Sequence, residues 1–274
     1  MSRMYGLIGR SLDHSFSADY FNAKFLREGT DASYRLFPIP DIAMLADLIA
    51  EYPELTGINV TIPYKEAVIP LLDALSEEAR AVGAVNVVRV ERLSGNVILK
   101  GYNTDITGFR DSLMDMLGGD IPERALVTGT GGAARAVGYV LLREGITPCF
   151  VSRRADLMRK SGFMGCRVIA YSDIGCDVMT DHRLVVNTTP LGTFPHTEEC
   201  VDIPFEYIGK SHYLYDLVYN PSETLFLKRG KLAGAHTQNG MNMLEIQAEA
   251  AYRIWNEQSD YLYSSCSYRG NRHG

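Results

Sequence analysis

The sequence predicts an α/β protein with a parallel sheet. Strand-like apolar runs alternate with helical stretches along most of the chain, the pattern that parallel sheets with crossover helices produce. A glycine-rich turn, Gly129-Thr130-Gly131-Gly132, sits between a β-rich run and an apolar helical stretch. Apolar residues make up 46% of the 274 and charged residues 22%, so the chain can bury a sizeable core.

The elements follow in order. Residues 4–9 are a short apolar run ending in glycine. Ser17 opens a helical stretch carrying Tyr20, Phe21 and Phe25 on one face, and Gly29 stops it. Residues 34–39 read as a strand. Asp41 can cap a helix over 42–51, before Pro53. Residues 56–61 are the next strand, followed by a loop at Pro63 and helical segments near 65–72 and 76–82. Strands at 85–90 and 97–102 are joined by the polar turn Ser94-Gly95-Asn96. A helix over 106–117 ends at Gly118-Gly119. Residues 124–128 form a β-rich run, the glycine turn follows, and a helix over 133–143 stops before Gly145. Strands are predicted at 148–152 and near 167–170, 184–187 and 213–217, with a last helix at about 240–256. Residues 257–274 are polar and rich in Ser, Tyr and Gly, and read as a loosely held tail.

Charge narrows the function. Lys and Arg count 27 against 33 Asp and Glu, a net charge of −6. Sequence-independent nucleic-acid binding needs a basic surface and a surface membrane anchor a polybasic one, so neither partner is expected. No run approaches 18 apolar residues, and the N-terminal stretch is too short and too broken for a signal-peptide core. Five cysteines, odd in number and without a C-x-x-C pair, argue against a disulfide framework and a zinc ribbon. A reducing cytoplasm is the plain expectation. None of the six histidines forms a ligand-spaced pair, so no metal is expected.

The glycine turn has the strand–turn–helix context of a dinucleotide fingerprint. Gly129 permits a tight turn, Gly131 lets a pyrophosphate approach the backbone, and Ala134 is small enough for close helix–strand packing. An ordinary glycine-rich turn is the bland alternative. At the end of the next strand an NAD site expects an acid to bond the ribose 2′-hydroxyl. The chain has Ser152-Arg153-Arg154 there, and two guanidiniums suit the 2′-phosphate of NADP. Read plainly, they are a solvated helix entry. Asn187 and Thr188 follow a strand at the end where α/β sheets bind ligands, and can contact ribose or nicotinamide, though the segment alone could be a turn.

The N-terminal half carries a second polar set. Ser15 and Ser17 lie on one side of an extended segment and offer two hydroxyls beside a helix N-terminus; with Ser17 as a simple cap, Ser15 is incidental. Asn59-Val60-Thr61-Ile62-Pro63-Tyr64-Lys65 alternates polar residues within an apolar strand and ends in a lysine. Gly83-Ala84-Val85-Asn86 and Tyr102-Asn103-Thr104-Asp105 follow. Lysine and aspartate suit acid–base work on a hydroxyl or ketone. Each residue alone is more often a surface charge or a cap.

Taken together, S-x-S, N-V-T-x-P-x-K, G-A-V-N, N-T-D, G-x-G-G-A-A-R, N-T-T-P-x-G and a late glutamine helix resemble the shikimate dehydrogenase family, in family order from about Tyr5 to Trp255. The resemblance implies an N-terminal α/β substrate domain, a Rossmann-like NADP-binding domain and a cleft between them. The substrate domain would comprise residues 1–105 and 239–257, the NADP domain 106–238, leaving 258–274 as the tail. The implied reaction is the reversible NADPH-dependent reduction of 3-dehydroshikimate to shikimate in aromatic amino-acid biosynthesis. Lys65 matches the catalytic lysine, with Asp105 orienting it. Ser15 and Ser17 match carboxylate-holding positions, Thr61, Asn86 and Asp105 hydroxyl-binding positions, and Tyr219 and Gln247 further substrate contacts. Gly129, Thr130, Gly131, Gly132, Ala133, Ser152, Arg153, Arg154, Val218, Gly240 and Met243 match cofactor positions. The family allows a monomer or a homodimer.

The chain departs from the family pattern at Ala18, where proline is common after S-x-S, and at Ser152, where asparagine is frequent. A quinate/shikimate dehydrogenase with NAD use is one competing reading. A catalytically idle NADP-binding sensor is another, and it would be expected to have lost part of the Lys65–Asp105 pair.

Overall fold

The structure, a computed structural model, describes residues 2–12, 15–256 and 266–268. It separates into two compact units, Met1–Thr104 with Ala248–Gly274, and Asp105–Gln247.

In the first unit β1 (Arg3–Gly9) leads into α1 (Phe16–Glu28) and β2 (Ala32–Pro38). A 3-10 turn at Ile42–Met44, capped by the Asp41 carboxylate at 2.9 Å from the Ala43 amide, precedes α2 (Leu45–Glu51). Next come β3 (Leu55–Val60), the short α3 (Tyr64–Ala67), β4 (Ala74–Ser76), α4 (Glu77–Val82), β5 (Val87–Leu93) and β6 (Asn96–Tyr102). The helix expected from Ser17 begins earlier: Ser15 takes the extended N-cap conformation, and Ser17 lies in the first turn. Gly29 ends α1 in the left-handed region, as expected. The helix expected over 65–72 is broken into α3 and a 3-10 turn at Ile69–Leu71, with Pro70 in that second turn. Ser94 and Gly95 both have positive φ, the two-residue turn that matches strand twist and joins β5 to β6.

This sheet is mixed. β1 runs parallel to β2 and β3, whereas β5 is antiparallel to both β3 and β6. Its aromatic core joins Tyr5, Phe21, Phe25 and Tyr34 to Tyr252 and Trp255 near the end of the last helix. Trp255 stacks on Tyr5 at a centroid separation of 5.0 Å and donates its indole N–H to the Val88 carbonyl at 3.2 Å. A side chain at Gly57 would come within 2.5 Å of that indole.

The second unit holds α5 (Asp105–Leu117), β7 (Arg124–Thr128), α6 (Gly132–Arg143), β8 (Thr147–Val151), α7 (Ala155–Ser161), β9 (Arg167–Ile169), α8 (Cys176–Asp181), β10 (Leu184–Asn187), β11 (Tyr213–Asp216), α9 (Leu225–Leu232) and β12 (His236–Gln238). The continuous helix α10 (Met241–Asn256) begins here, and its residues from Ala248 on belong to the first unit. Cys266–Tyr268 forms β13, antiparallel to β4. The rest of the expected tail lies outside the described residues.

All five strand pairs of the second sheet are parallel, in the order β9-β8-β7-β10-β11-β12. Counted within the unit this is 3-2-1-4-5-6, the doubly wound order that binds dinucleotides where the strand order reverses, here between β7 and β10. The helices α7, α8 and α9 are six to eight residues long and are not predicted from the sequence, nor are the three-residue β4 and β12. Among the described residues no helix is long and apolar enough to cross a membrane.

A buried carboxylate knits the strand ends at this reversal. Asp216, fully buried at the end of β11, accepts from the Asn187 amide at 2.9 Å, the Val218 backbone N–H at 3.0 Å and the Thr224 hydroxyl at 2.6 Å. Burial pushes its pKa from 3.8 up to about 6, against hydrogen bonds that favour the charged form.

Both features of this packing can be probed by melting. Gly57→Ala overpacks the Trp255 indole and should cost about 1–3 kcal/mol, read as a lowered melting temperature; an unchanged midpoint would show that ring and strand have room to separate. Asp216 binds its proton more tightly in the folded state, so its contribution to stability is complete below its ordinary pKa and is lost as pH rises through about 6. Asparagine does not titrate. The melting temperature of Asp216→Asn relative to wild type should therefore rise between about pH 4 and about pH 6 and level off above that, and a flat difference would mean that Asp216 does not titrate there.

Candidate functional site

The polar residues of the first unit meet at the carboxyl ends of β1 and β3. The Thr61 amide donates to the Ile8 carbonyl at 3.0 Å, which places Thr61 beside the end of β1. Lys65 lies on α3, whose Tyr64 hydroxyl is anchored on the Ile39 carbonyl at 2.6 Å. The Lys65 carbonyl accepts from the Val85 amide at 2.7 Å, tying the lysine segment to the one that carries Asn86.

Asn86 is 3% exposed, and its amide is fixed from both ends. Its Oδ1 accepts from the Thr104 amide at 2.7 Å, and its Nδ2 donates to the Thr104 hydroxyl at 3.1 Å. The Asn86 carbonyl accepts from Asn59 Nδ2 at 3.3 Å, and Asn59 Oδ1 accepts from the Tyr34 hydroxyl at 2.7 Å. The Ser17 hydroxyl bonds to that same phenol, whose pKa burial raises above the ordinary tyrosine range. A single chain of hydrogen bonds thus links Ser17, Tyr34, Asn59, Asn86 and Thr104. Ser15, the N-cap residue of α1, spends no side-chain hydrogen bond on capping. Sequence reasoning does not single out Tyr34, which looks like any strand aromatic. The signal for Asn59 is its amide within an apolar strand.

The second unit presents the glycine turn directly after β7. Gly129 has φ +110, and a side chain there would meet Thr188 Oγ1 at 2.6 Å, so both conformation and space require glycine. After Thr130, Gly131 is the N-cap of α6; it makes no side-chain cap, and a Cβ built on it meets nothing within 4 Å. The first turn of α6, from Gly132 and Ala133 onward, therefore keeps its backbone donors uncapped by side chains. A pyrophosphate fits this open backbone. Ser152 is buried and accepts from the Arg154 amide at 3.1 Å, fixing the turn that presents Arg153 and Arg154. Both arginines are exposed, and neither forms an ion pair among the described residues.

Arg153 borders two hollows. One, of about 390 Å³, is also lined by Tyr171, Thr189, Pro190, Leu191, Cys200 and Asp202. The other, of about 510 Å³, is lined by both arginines with Asp156, Arg159, Ser172 and Asp173. Arg159 is already paired with Asp156 and Asp173, which leaves Arg153 and Arg154 as the guanidiniums of this lining without a carboxylate partner among the described residues. The residues present fit a dinucleotide carrying a 2′-phosphate.

Asn187 and Thr188 are differently placed from what their type suggests. Asn187 is fully buried: its Oδ1 accepts from the hydroxyls of Thr128 and Thr189 and from the Thr189 amide, and its Nδ2 donates to Asp216. It holds the turn rather than facing a ligand. The Thr188 hydroxyl donates to the Thr128 carbonyl at 2.6 Å. Val218 has both backbone groups in use, its N–H on Asp216 and its carbonyl accepting from Gly240 at 3.1 Å. A side chain at Gly240 would lie 2.1 Å from the Leu217 carbonyl oxygen, so only glycine permits this approach. Met243 and Gln247 lie on α10, and Gln247 is buried with its amide donating to the Leu244 carbonyl at 3.0 Å. Tyr219 is half-buried, and burial pushes its pKa up. Asp105 is the first residue of α5. Among the described residues, no cluster of three or more His, Cys, Asp or Glu side chains could hold a metal ion.

Residues 7–88 match the family described as shikimate dehydrogenase substrate binding domain. The chain is 40% identical over 274 residues to the shikimate dehydrogenase (NADP(+)) of Salinibacter ruber, covering 94% of this chain and 93% of that one. Its fold matches the shikimate 5-dehydrogenase of Thermus thermophilus, solved in complex with NADP(H) and shikimate, with a TM-score of 0.78 at 31% identity over 93% of each chain. It also matches the quinate dehydrogenase of Corynebacterium glutamicum, solved in complex with NAD, with a TM-score of 0.81 at 31% identity over 93% of this chain and 94% of that one. Likeness of this extent across both units makes the chain a member of the shikimate dehydrogenase family.

Proposed function

We propose that this chain catalyses the reversible reduction of 3-dehydroshikimate to shikimate with NADPH. The observation that carries the reading is the likeness to a shikimate dehydrogenase (NADP(+)) over 94% of the chain, both units included. The guanidinium pair at Arg153 and Arg154, where an NAD site expects an acid, favours NADP over NAD.

When bound, NADPH supplies the hydride. The backbone of Gly129 to Ala133 would hold its pyrophosphate at the start of α6, and Ser152 to Arg154 its 2′-phosphate. Val218, Gly240 and Met243 would shape the nicotinamide end, with Asn187 and Thr188 bracing the turn beside it. In the first unit Ser15 and Ser17 hold the substrate carboxylate, while Thr61 and Asn86 bond ring hydroxyls. Tyr219 and Gln247 are further substrate contacts. As the ketone is reduced, negative charge develops on its oxygen; the Lys65 ammonium stabilises that charge and donates the proton. In the oxidation direction the neutral amine takes the proton back. Asp105 is the accompanying carboxylate, accepting a hydroxyl hydrogen bond.

The direct test is absorbance of the reduced nicotinamide with purified protein, shikimate or quinate, and NADP or NAD. Reduction of NADP with shikimate, with quinate inert, supports the reading; preference for quinate and NAD would move the chain toward its Corynebacterium neighbour. Lys65→Ala should lower kcat by about 100-fold or more, with a smaller effect on KM; an intact kcat with a raised KM would make Lys65 a binding residue. Arg153→Ala should raise the KM for NADP by about tenfold, the scale of one lost charge-assisted bond, and spare NAD. Equal losses with both cofactors would place Arg153 away from the 2′-phosphate.

A further inference from the structure

Asp216 holds a buried charge that its surroundings do not neutralise. All of its hydrogen-bond partners, the Asn187 amide, the Val218 N–H and the Thr224 hydroxyl, are neutral donors. Burying a carboxylate without a cation is costly, and an apolar side chain of similar volume is often no less stable. What a carboxylate offers here is acceptance without donation: it can satisfy three donors that converge from three directions.

Those donors come from the segments that build the dinucleotide side of the unit. Asn187 ends β10, and its other amide atom gathers Thr128 at the end of β7 and both polar groups of Thr189. Thr189 lines the hollow beside Arg153. Thr188, between Asn187 and Thr189, lies against the glycine turn, where its hydroxyl would crowd any side chain at Gly129. Val218 begins the turn after β11 and receives the Gly240 amide at the entry to α10. Thr224 caps α9, its hydroxyl accepting from the Leu227 amide at 3.4 Å while it donates to Asp216. One side chain, itself shut off from solvent, therefore sets the register of the β7, β10 and β11 ends against each other.

We propose that Asp216 is the positioning residue of the dinucleotide site: it never touches the cofactor, but through Asn187 and Val218 it fixes the two turns between which the cofactor lies. The inference rests on the NADP reading above and adds a residue that acts through others.

The test is calorimetric titration of the protein with NADP in the absence of substrate, together with thermal unfolding of the unliganded protein. At a temperature where every variant is folded by circular dichroism, Asp216→Ala should weaken NADP about tenfold or more, the scale on which supporting partners of a site act. In assays the loss should fall on the KM for NADP, with the KM for shikimate changed less than about twofold. Asp216→Asn keeps an acceptor oxygen for Asn187 and Val218, and should bind NADP within about threefold of wild type. If the alanine variant does not fold, Asp216→Ser serves instead. Its hydroxyl still accepts from the amide two residues on but cannot hold Asn187 as well, so it too should weaken NADP. Wild-type affinity in folded Asp216→Ala or Asp216→Ser overturns the proposal, as does an equal loss in Asp216→Asn, since charge rather than acceptor geometry would then be at work. Failure of the wild-type protein to bind NADP overturns the cofactor reading and this inference together, and so is distinct from failure of the inference alone.

Discussion

The strand ends of its two sheets are the constraint on which the rest of this molecule depends. Ladder hydrogen bonds stop there, the chain must turn, and the backbone groups released need partners. Both units meet the demand with a buried side-chain amide. In the first unit Asn86 takes the Thr104 amide on one side while its carbonyl receives Asn59 on the other. In the second unit Asn187 takes Thr189 and Thr128 on one side and reaches Asp216 on the other. An amide suits such a post because it donates and accepts at once, so one residue can join two loops of opposite need. Thr188, read as ligand-facing, stands on a turn held in this way, whereas the turn of Arg153 and Arg154 is held by the Ser152 hydroxyl.

The two amides differ in what lies behind them. Asn59 and Tyr34 continue the first network through neutral groups to the start of α1. The second network ends on a carboxylate, and the cost of burying it is concentrated where the glycine turn needs a fixed neighbour. A polar network in a core is worth having only if every member is satisfied, and the Asn187–Asp216 set meets that standard.

Much of this is legible in the sequence. Ala125–Val127 and Leu184–Val186 are continuous apolar runs bounded by polar turns, as strands covered on both faces must be, so the parallel sheet declares itself. The glycine turn and the arginine pair are local features and read directly. The short helices α7, α8 and α9 span about two turns, too few for a helical period to stand out, and their stability comes from the sheet beneath them. The start of α1 is misplaced because Ser15 and Ser17 are equally good caps by type, and only the backbone path chooses between them. Asn187 shows the general limit. Its position at a strand end is readable, but whether its amide faces a ligand or the interior depends on an aspartate 29 residues further along the chain. Tyr34 gives no signal at all, since a buried phenol reveals its hydrogen bonds only in three dimensions.

The packing of Trp255 has an optical side. It is the only tryptophan in the chain, and it lies among Tyr5, Phe21 and Tyr34 in the aromatic core of the first unit, against Gly57. Indole emission excited at the red edge of the band therefore originates entirely in that unit. The second unit has no such fluorophore of its own and is dark at those wavelengths, so intrinsic fluorescence reports the first unit alone while backbone dichroism reports both.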